Sequence, residues 1–192
     1  METFKLVKPT IEYEKQAIDF IEEHYEYNSP LNGVGGLDKF LDNYNGWLEK
    51  LEENRNRIAN EERVPTETFF FIREEDNKIV GMINIRLALN EKLRKVNGNI
   101  GYCIRPTERQ KGYNKINLYL GLLECNKREM KEVMLDCDKY NLGSVKTIQA
   151  LCGKLEKEYY NEEYKEEVQI YWIDVKYSIE SNKERFKKYI SN

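Results

Sequence analysis

Gly98-Asn99-Ile100-Gly101-Tyr102-Cys103-Ile104-Arg105-Pro106-Thr107-Glu108-Arg109-Gln110-Lys111-Gly112-Tyr113-Asn114-Lys115 carries a strand, a turn and a helix start in one run. Asn99 to Arg105 reads as a strand ended by Pro106. From Tyr113 to about Arg128 the apolar residues Ile116, Leu118, Tyr119, Leu120, Leu122 and Leu123 predict a largely buried helix. A turn containing Gly112 can bring successive backbone N–H groups to face one point, and the first helical turn adds its unpaired N–H groups and positive dipole end. Arg109, Lys111 and Lys115 add side-chain charge there. In physical terms this is a pyrophosphate cradle, although the same spacing also fits an ordinary basic turn.

N-terminal to this run, Thr3 to Lys8 alternates polar and apolar residues up to Pro9, a short strand, and Thr10 can cap a helix over Ile11 to about Tyr25. Asn28 to Gly36 breaks it, and Leu37, Phe40, Leu41, Tyr44, Trp47, Leu48 and Leu51 predict a second amphipathic helix. Glu67 to Arg73 and Ile79 to Leu89 read as a hairpin around the polar turn Glu74-Glu75-Asp76-Asn77-Lys78. On the C-terminal side follow a strand over Glu132 to Cys137, a helix over Leu142 to Leu151, and two strands, Lys154 to Tyr160 and Val168 to Tyr177, joined by an acidic loop. The order β-α-α-β-β-β-α-β-α-β-β implies an α/β chain of the α+β kind, with a mixed, mostly antiparallel sheet flanked by helices. One domain is expected over 1–180, with a polar tail over 181–192 that forms a short helix or frays.

The chain has 192 residues, 34 Asp+Glu against 31 Lys+Arg, and a formal net charge of −3. No stretch approaches the ~18 consecutive apolar residues of a membrane helix, and the near-balanced charge lacks the basic excess of a nucleic-acid binder. The start, Met1-Glu2-Thr3-Phe4-Lys5, lacks secretory-signal features, so a cytoplasmic location is expected. Cys103, Cys125, Cys137 and Cys152 form no C-x-x-C pair and read as reduced thiols, with no metal site. A homodimer is compatible with an exposed strand edge or the aromatic second helix.

Arg109-Gln110-Lys111-Gly112-Tyr113-Asn114 resembles the Arg/Gln-x-x-Gly-x-Gly/Ala signature of the GNAT superfamily of N-acetyltransferases. Asp136 to Ile148, running into Cys152-Gly153-Lys154-Leu155-Glu156, is similar to that family's strand, Asn-x-x-Ser helix and Gly-containing turn. The resemblance spans about Thr3 to Tyr177 and implies acetyl-CoA as acyl donor, with direct transfer to a small-molecule primary amine. It implies that the amides of Gln110, Lys111, Gly112, Tyr113, Asn114 and Lys115 hold the pyrophosphate, that the edge of Cys103, Ile104 and Arg105 pairs with the pantetheine arm, and that the Ile104 amide is the oxyanion donor. By the same resemblance Asn141 bonds the pantetheine, and Ser144 and Lys146 lie along the cofactor tail. Asn141 and Ser144 are equally natural turn and cap residues, and Lys146 equally a solvated helix face.

Two positions depart from the family. Asn114 stands where Gly or Ala is usual, and either crowds the phosphates or points outward. Ile148 stands where many relatives have a tyrosine that protonates the departing thiolate, which an aliphatic side chain cannot do. An amine with a lysine-like pKa needs a proton acceptor, and His24, Asp136 with Asp138, and Tyr102 are the candidates. His24, the only histidine, reads first as a surface residue at a helix end. The run Glu156, Glu158, Glu162, Glu163, Glu166 and Glu167 points to a cationic acceptor such as a polyamine, an aminocyclitol or a lysine-like amine, and equally to a solvated loop. The 28–36 segment, with Gly33, Gly35 and Gly36, reads as a flap over the acceptor or an ordinary turn. The competing class is a non-catalytic acetyl-CoA-sensing or protein-interaction module on the same scaffold.

Overall fold

The computed structural model describes residues 2–163 and 165–190; Met1 of the expected domain and Ser191 and Asn192 of the expected tail lie outside them. Two antiparallel sheets form the centre. In the first, β1 (Phe4–Val7), β2 (Thr66–Arg73), β3 (Lys78–Arg86) and β4 (Ile100–Ile104) lie in chain order. In the second, β7 (Glu166–Asp174) lies between β5 (Glu132–Asp138) and β6 (Lys154–Asn161). Helices α1 (Glu14–Glu26), α2 (Tyr44–Arg55), α3 (Glu91–Lys95), α4 (Tyr113–Lys127), α5 (Leu142–Ala150) and α6 (Val175–Phe186) flank them.

Both faces of β2 and β3 are covered, which explains their continuous rather than alternating apolar runs. Phe70, Ile72, Ile79 and Met82 pack with Ala17, Phe20 and Ile21 of α1 and with Tyr44 and Trp47 of α2. Phe69, Phe71, Val80 and Ile83 pack on the other side with Ile116, Leu118, Tyr119 and Leu122 of α4. Because α2 spends its aromatic residues Tyr44 and Trp47 on this core, neither ring is available as a docking face.

Between the sheets the ladder stops. Asn99 ties the two together: its backbone N–H donates to the Met134 carbonyl at 2.7 Å, its Oδ1 accepts from the Met134 N–H at 2.8 Å, and its Nδ2 donates to the Arg86 carbonyl. Beyond Asn99 no ladder joins β4 to β5 among the described residues, so the mixed sheet expected from the crossover is two antiparallel sheets with a split between them.

Four local expectations change. The second helix does not run from Leu37: Gly36 is left-handed (φ 81°), Leu37–Lys39 forms a 3-10 turn, and α2 starts only after Asn43, whose side chain caps Gly46. Thr10 makes no side-chain cap bond, and Ile11–Tyr13 enters α1 as a 3-10 turn. The third strand ends at Arg86, and the residues beyond it form a connection containing α3, capped by Asn90. The last strand ends at Asp174, whose carboxylate accepts from the Tyr177 N–H at 2.8 Å and starts α6. The boundary placed at residue 180 therefore falls inside a helix. Its Phe186 packs its ring tilted against Tyr119 of α4 at 4.8 Å, and Ile190 bridges to Phe4 on β1.

Candidate functional site

In an antiparallel pair, residues alternate between those bonded across the ladder and those whose N–H groups point away. Arg105 N–H donates to Val80 and Arg86 N–H to Asn99, which fixes the phase of the β3–β4 ladder. Cys103 therefore faces β3, whereas the amides of Tyr102 and Ile104 face the split. The expected oxyanion donor and pantetheine-pairing edge lie open, and the Ile104 carbonyl on that edge accepts from Arg109 Nε at 3.1 Å.

A cleft of about 750 Å³ opens at this split. It gathers Tyr102, Cys103 and Ile104 from β4, Arg109, Gln110, Gly112, Tyr113, Asn114 and Lys115 from the turn and α4, and Asn141, Ser144 and Lys146 from α5. These are nearly all the residues that the sequence put together. Gln110 (φ 64°) and Gly112 (φ 81°) are both left-handed, and no side chain caps α4 among the described residues. A positive helix end thus faces the cleft with the Tyr113 and Asn114 amides unpaired among the described residues, while the Lys115 N–H, expected in the cradle, donates instead to the Gly112 carbonyl at 3.2 Å. A Cβ built on Gly112 meets nothing within 4 Å, so the space in front of the turn is open. Asn141 caps α5 by accepting from Ser144 N–H at 3.1 Å through Oδ1, which leaves its Nδ2 to serve the cleft.

The remaining candidates lie elsewhere. Arg105 turns away from the cleft, donating Nε to the Ile79 carbonyl and pairing with Glu23 at 2.8 Å; Thr107 bonds the same carboxylate, so α1 anchors the turn that precedes the cradle. Lys111 does not line the cleft but pairs with Glu108 at 2.7 Å. Asp136 also lies outside it, accepting from the Asn97 N–H at 2.9 Å. His24 is a correction: it is fully buried, its ring tilted against Phe20 at 4.6 Å, with Nδ1 at 2.8 Å from the Phe20 carbonyl. That contact requires a proton on Nδ1, and burial pushes the imidazole pKa down, so the ring is neutral and structural. Ile148 is buried in the core and does not line the cleft.

Ser29, Pro30 and Asn32, which the sequence placed only within a flap or an ordinary turn, line one rim, and sequence reasoning missed Glu108, Leu142, Gly143 and Thr147. Leu142, Gly143 and Thr147 follow from the helical spacing around Asn141 and Ser144. The Ser29 to Asn32 rim has no local signal, because a distant contact puts it there. Gly33 (φ 70°) lies against β4 so closely that a Cβ would sit 2.2 Å from the Gly101 carbonyl oxygen, and Arg109 donates to Ser29 Oγ at 2.5 Å. The 28–36 segment is docked on β4. Gly33→Ala is expected to lift it and lower stability by about 1–3 kcal/mol, read as a reduced thermal midpoint with faster amide exchange confined to residues 28–36.

The family profile described as "Acetyltransferase (GNAT) family" matches residues 36–153, more than half of the chain. This protein belongs to the GNAT acetyltransferase family. The matched span takes in the β4 edge, the cradle and α5. The GNAT fold recurs in solved structures. Mycobacterium smegmatis RimJ, in complex with CoA-disulfide, aligns at TM-score 0.71 and 13% identity over 96% of this chain and 92% of that one. Ribosomal-protein-S5-alanine acetyltransferase from Vibrio fischeri aligns at TM-score 0.67 and 13% identity over 91% and 94%. The spermidine N-acetyltransferase SpeG chimera from Vibrio cholerae and hSSAT aligns at 0.62 and 11% over 92% and 99%. No curated protein gives a significant sequence match. At these identities the likeness establishes the GNAT fold and leaves the acceptor open. Family membership carries the general activity, acetyl transfer from acetyl-CoA.

Proposed function

We propose that this GNAT protein moves acetyl from acetyl-CoA directly to the primary amine of a small, cationic acceptor. The observation that carries the reading is the convergence of an open strand edge, an uncapped helix end and the Asn141 amide on one cleft. Acetyl-CoA, when bound, supplies an activated thioester. The open space before Gly112 and the free amides of α4 suit its pyrophosphate, and the Tyr102 and Ile104 edge suits main-chain pairing with its pantetheine. The Ile104 N–H would hold the developing oxyanion, a fixed dipole needing no reorganisation.

Direct transfer follows from the thiols. Burial pushes Cys103 up to about 12 and Cys137 up to about 11, so neither is a competent nucleophile at neutral pH. The acceptor class rests on the second sheet. Part of the acidic run is spent within the fold, since Glu158 pairs with Lys139 at 2.7 Å and Glu156 accepts from Trp172 Nε1. Glu166 differs: burial, with Asp138 and Asp136 beside it, raises its carboxyl above the usual range. Three crowded carboxylates near the split favour a positive partner. Asp136 is our choice for receiving the amine proton through water.

The buried Ile148 favours a second reading, a protein that binds acetyl-CoA without turnover. Calorimetric titration with acetyl-CoA, followed by a thiol-release assay over cationic and neutral primary amines at low salt, separates the two. Release that is fastest with cationic amines, and slowed by salt, supports the proposal. Binding with no release for any amine supports the sensor.

A further inference from the structure

The cleft contains a hydroxyl cluster that the reading above does not use. Tyr102, on β4, reaches across the split to α5, where its Oη lies 2.8 Å from Ser144 Oγ. Asn114 of α4 lines the same cleft, its Nδ2 3.5 Å from Thr147 Oγ1, one turn on from Ser144. The Asn114 Oδ1 is buried without a partner among the described residues, an acceptor left for a group that is not part of the fold. Asn114 thus points into the cleft wall, settling the alternative posed by its departure from the family signature. The two departures are complementary: Ile148 removes a hydroxyl from α5, and Asn114 shares the cleft with another that comes from β4.

We infer that Tyr102 is the proton donor to the departing sulfur of coenzyme A, with Ser144 as its positioning residue. Resting on the acetyl-CoA reading, the assignment concerns one proton. The 2.8 Å contact allows either hydroxyl to donate; in this role Ser144 Oγ–H donates to Tyr102 Oη, which turns the phenolic proton toward the open edge between Tyr102 and Ile104. When the carbon–sulfur bond breaks, its electron pair goes to sulfur, and sulfur takes the Tyr102 proton. The phenolate regains a proton through Ser144 from water in the cleft, and the amine's proton passes through water to Asp136, which returns it to solvent, so the sum is neutral. Burial holds the phenol above its ordinary pKa, which keeps it protonated and removes it from the candidate bases.

Two readouts test this with Tyr102→Phe, which keeps the ring and removes only the hydroxyl. The first needs no turnover: coenzyme A and its desulfo analogue are titrated against each protein at pH 9. Wild type is expected to prefer coenzyme A by about 10-fold, as a hydrogen bond to a charged sulfur gives, and the variant to bind both equally. The second is thiol release, where kcat is expected to fall about 100-fold while affinity for acetyl-CoA changes less than about 3-fold. Ser144→Ala should lose less, and the double variant should be no slower than Tyr102→Phe alone, since both act on one proton. An unchanged desulfo preference in the variant, a kcat near wild type, or additive losses would overturn the assignment. Failure of wild type itself to bind acetyl-CoA would instead remove the reading on which it rests.

Discussion

Gly112→Trp is expected to weaken acetyl-CoA binding by about 100-fold or more, equivalent to about 2.7 kcal/mol, in calorimetric titration. The Gly112 φ of 81° starts α4 in the left-handed region, and the space before it is open, so an indole would project into the cradle rather than into the fold. Gly112→Ala is the control. It suffers the same left-handed strain, about 1–2 kcal/mol, but places only a methyl group in that open space. A weakening specific to tryptophan assigns the loss to occlusion, whereas equal losses assign it to a distorted turn. Unaltered binding in the tryptophan variant would mean that the phosphates do not lie at α4.

Glu108→Gln is expected to cost about 3 kcal/mol of stability at pH 7, the lower end for removing one partner of a buried ion pair. Glu108 is buried and accepts from Arg73 at 2.9 Å, Lys78 at 2.8 Å and Lys111 at 2.7 Å. Burial alone would raise its carboxyl, but Lys111, Lys78 and Arg73 outweigh that and hold it at about 2, against an ordinary value of 4.5. A pKa depressed in the folded state gives stability that is complete above the ordinary value and is lost as pH falls through the folded one. The wild-type advantage over Glu108→Gln, measured by urea denaturation, should therefore be full above pH 4.5 and shrink toward pH 2. A difference that is flat with pH would show that the three cations do not depend on this carboxylate. Since Glu108 also lines the cleft, it fixes the turn from which the cradle grows.

The cradle was legible because its parts are close in sequence. Arg109 to Lys115 holds the turn, the glycine and the helix start within one segment, and Asn141 to Ser144 holds a cap and its partner. Local chemistry of this kind survives folding unchanged. His24 and Arg105 were misplaced for the opposite reason. A histidine at a helix end carries no local mark of burial; Phe20 and the packing of α1 on β3 put it inside. Arg105 stands beside the cradle in sequence and was expected to pair with pantetheine through its backbone, but the ladder spends its N–H on the Val80 carbonyl and its side chain pairs with Glu23, on a helix far away in the chain. The missing break before α2 and the missing helix α6 are cases in which a capping residue, Asn43 or Asp174, overrides a continuing apolar pattern.

By itself the sequence determined the succession of the strands β1 to β7 and of helices α1, α2, α4 and α5, the α4 cradle and the family resemblance. Each depends on periodicity, glycine and proline placement, and short motifs, and these act over a few residues. Only the tertiary structure decided that β4 and β5 part after Asn99, that Gly33 seals one rim against Gly101, and that Tyr102 meets Ser144 across the split. The physical reason is range. A hydroxyl on a strand and another on a helix form a pair only when the packing of whole elements brings them to 2.8 Å, and no local propensity encodes that distance.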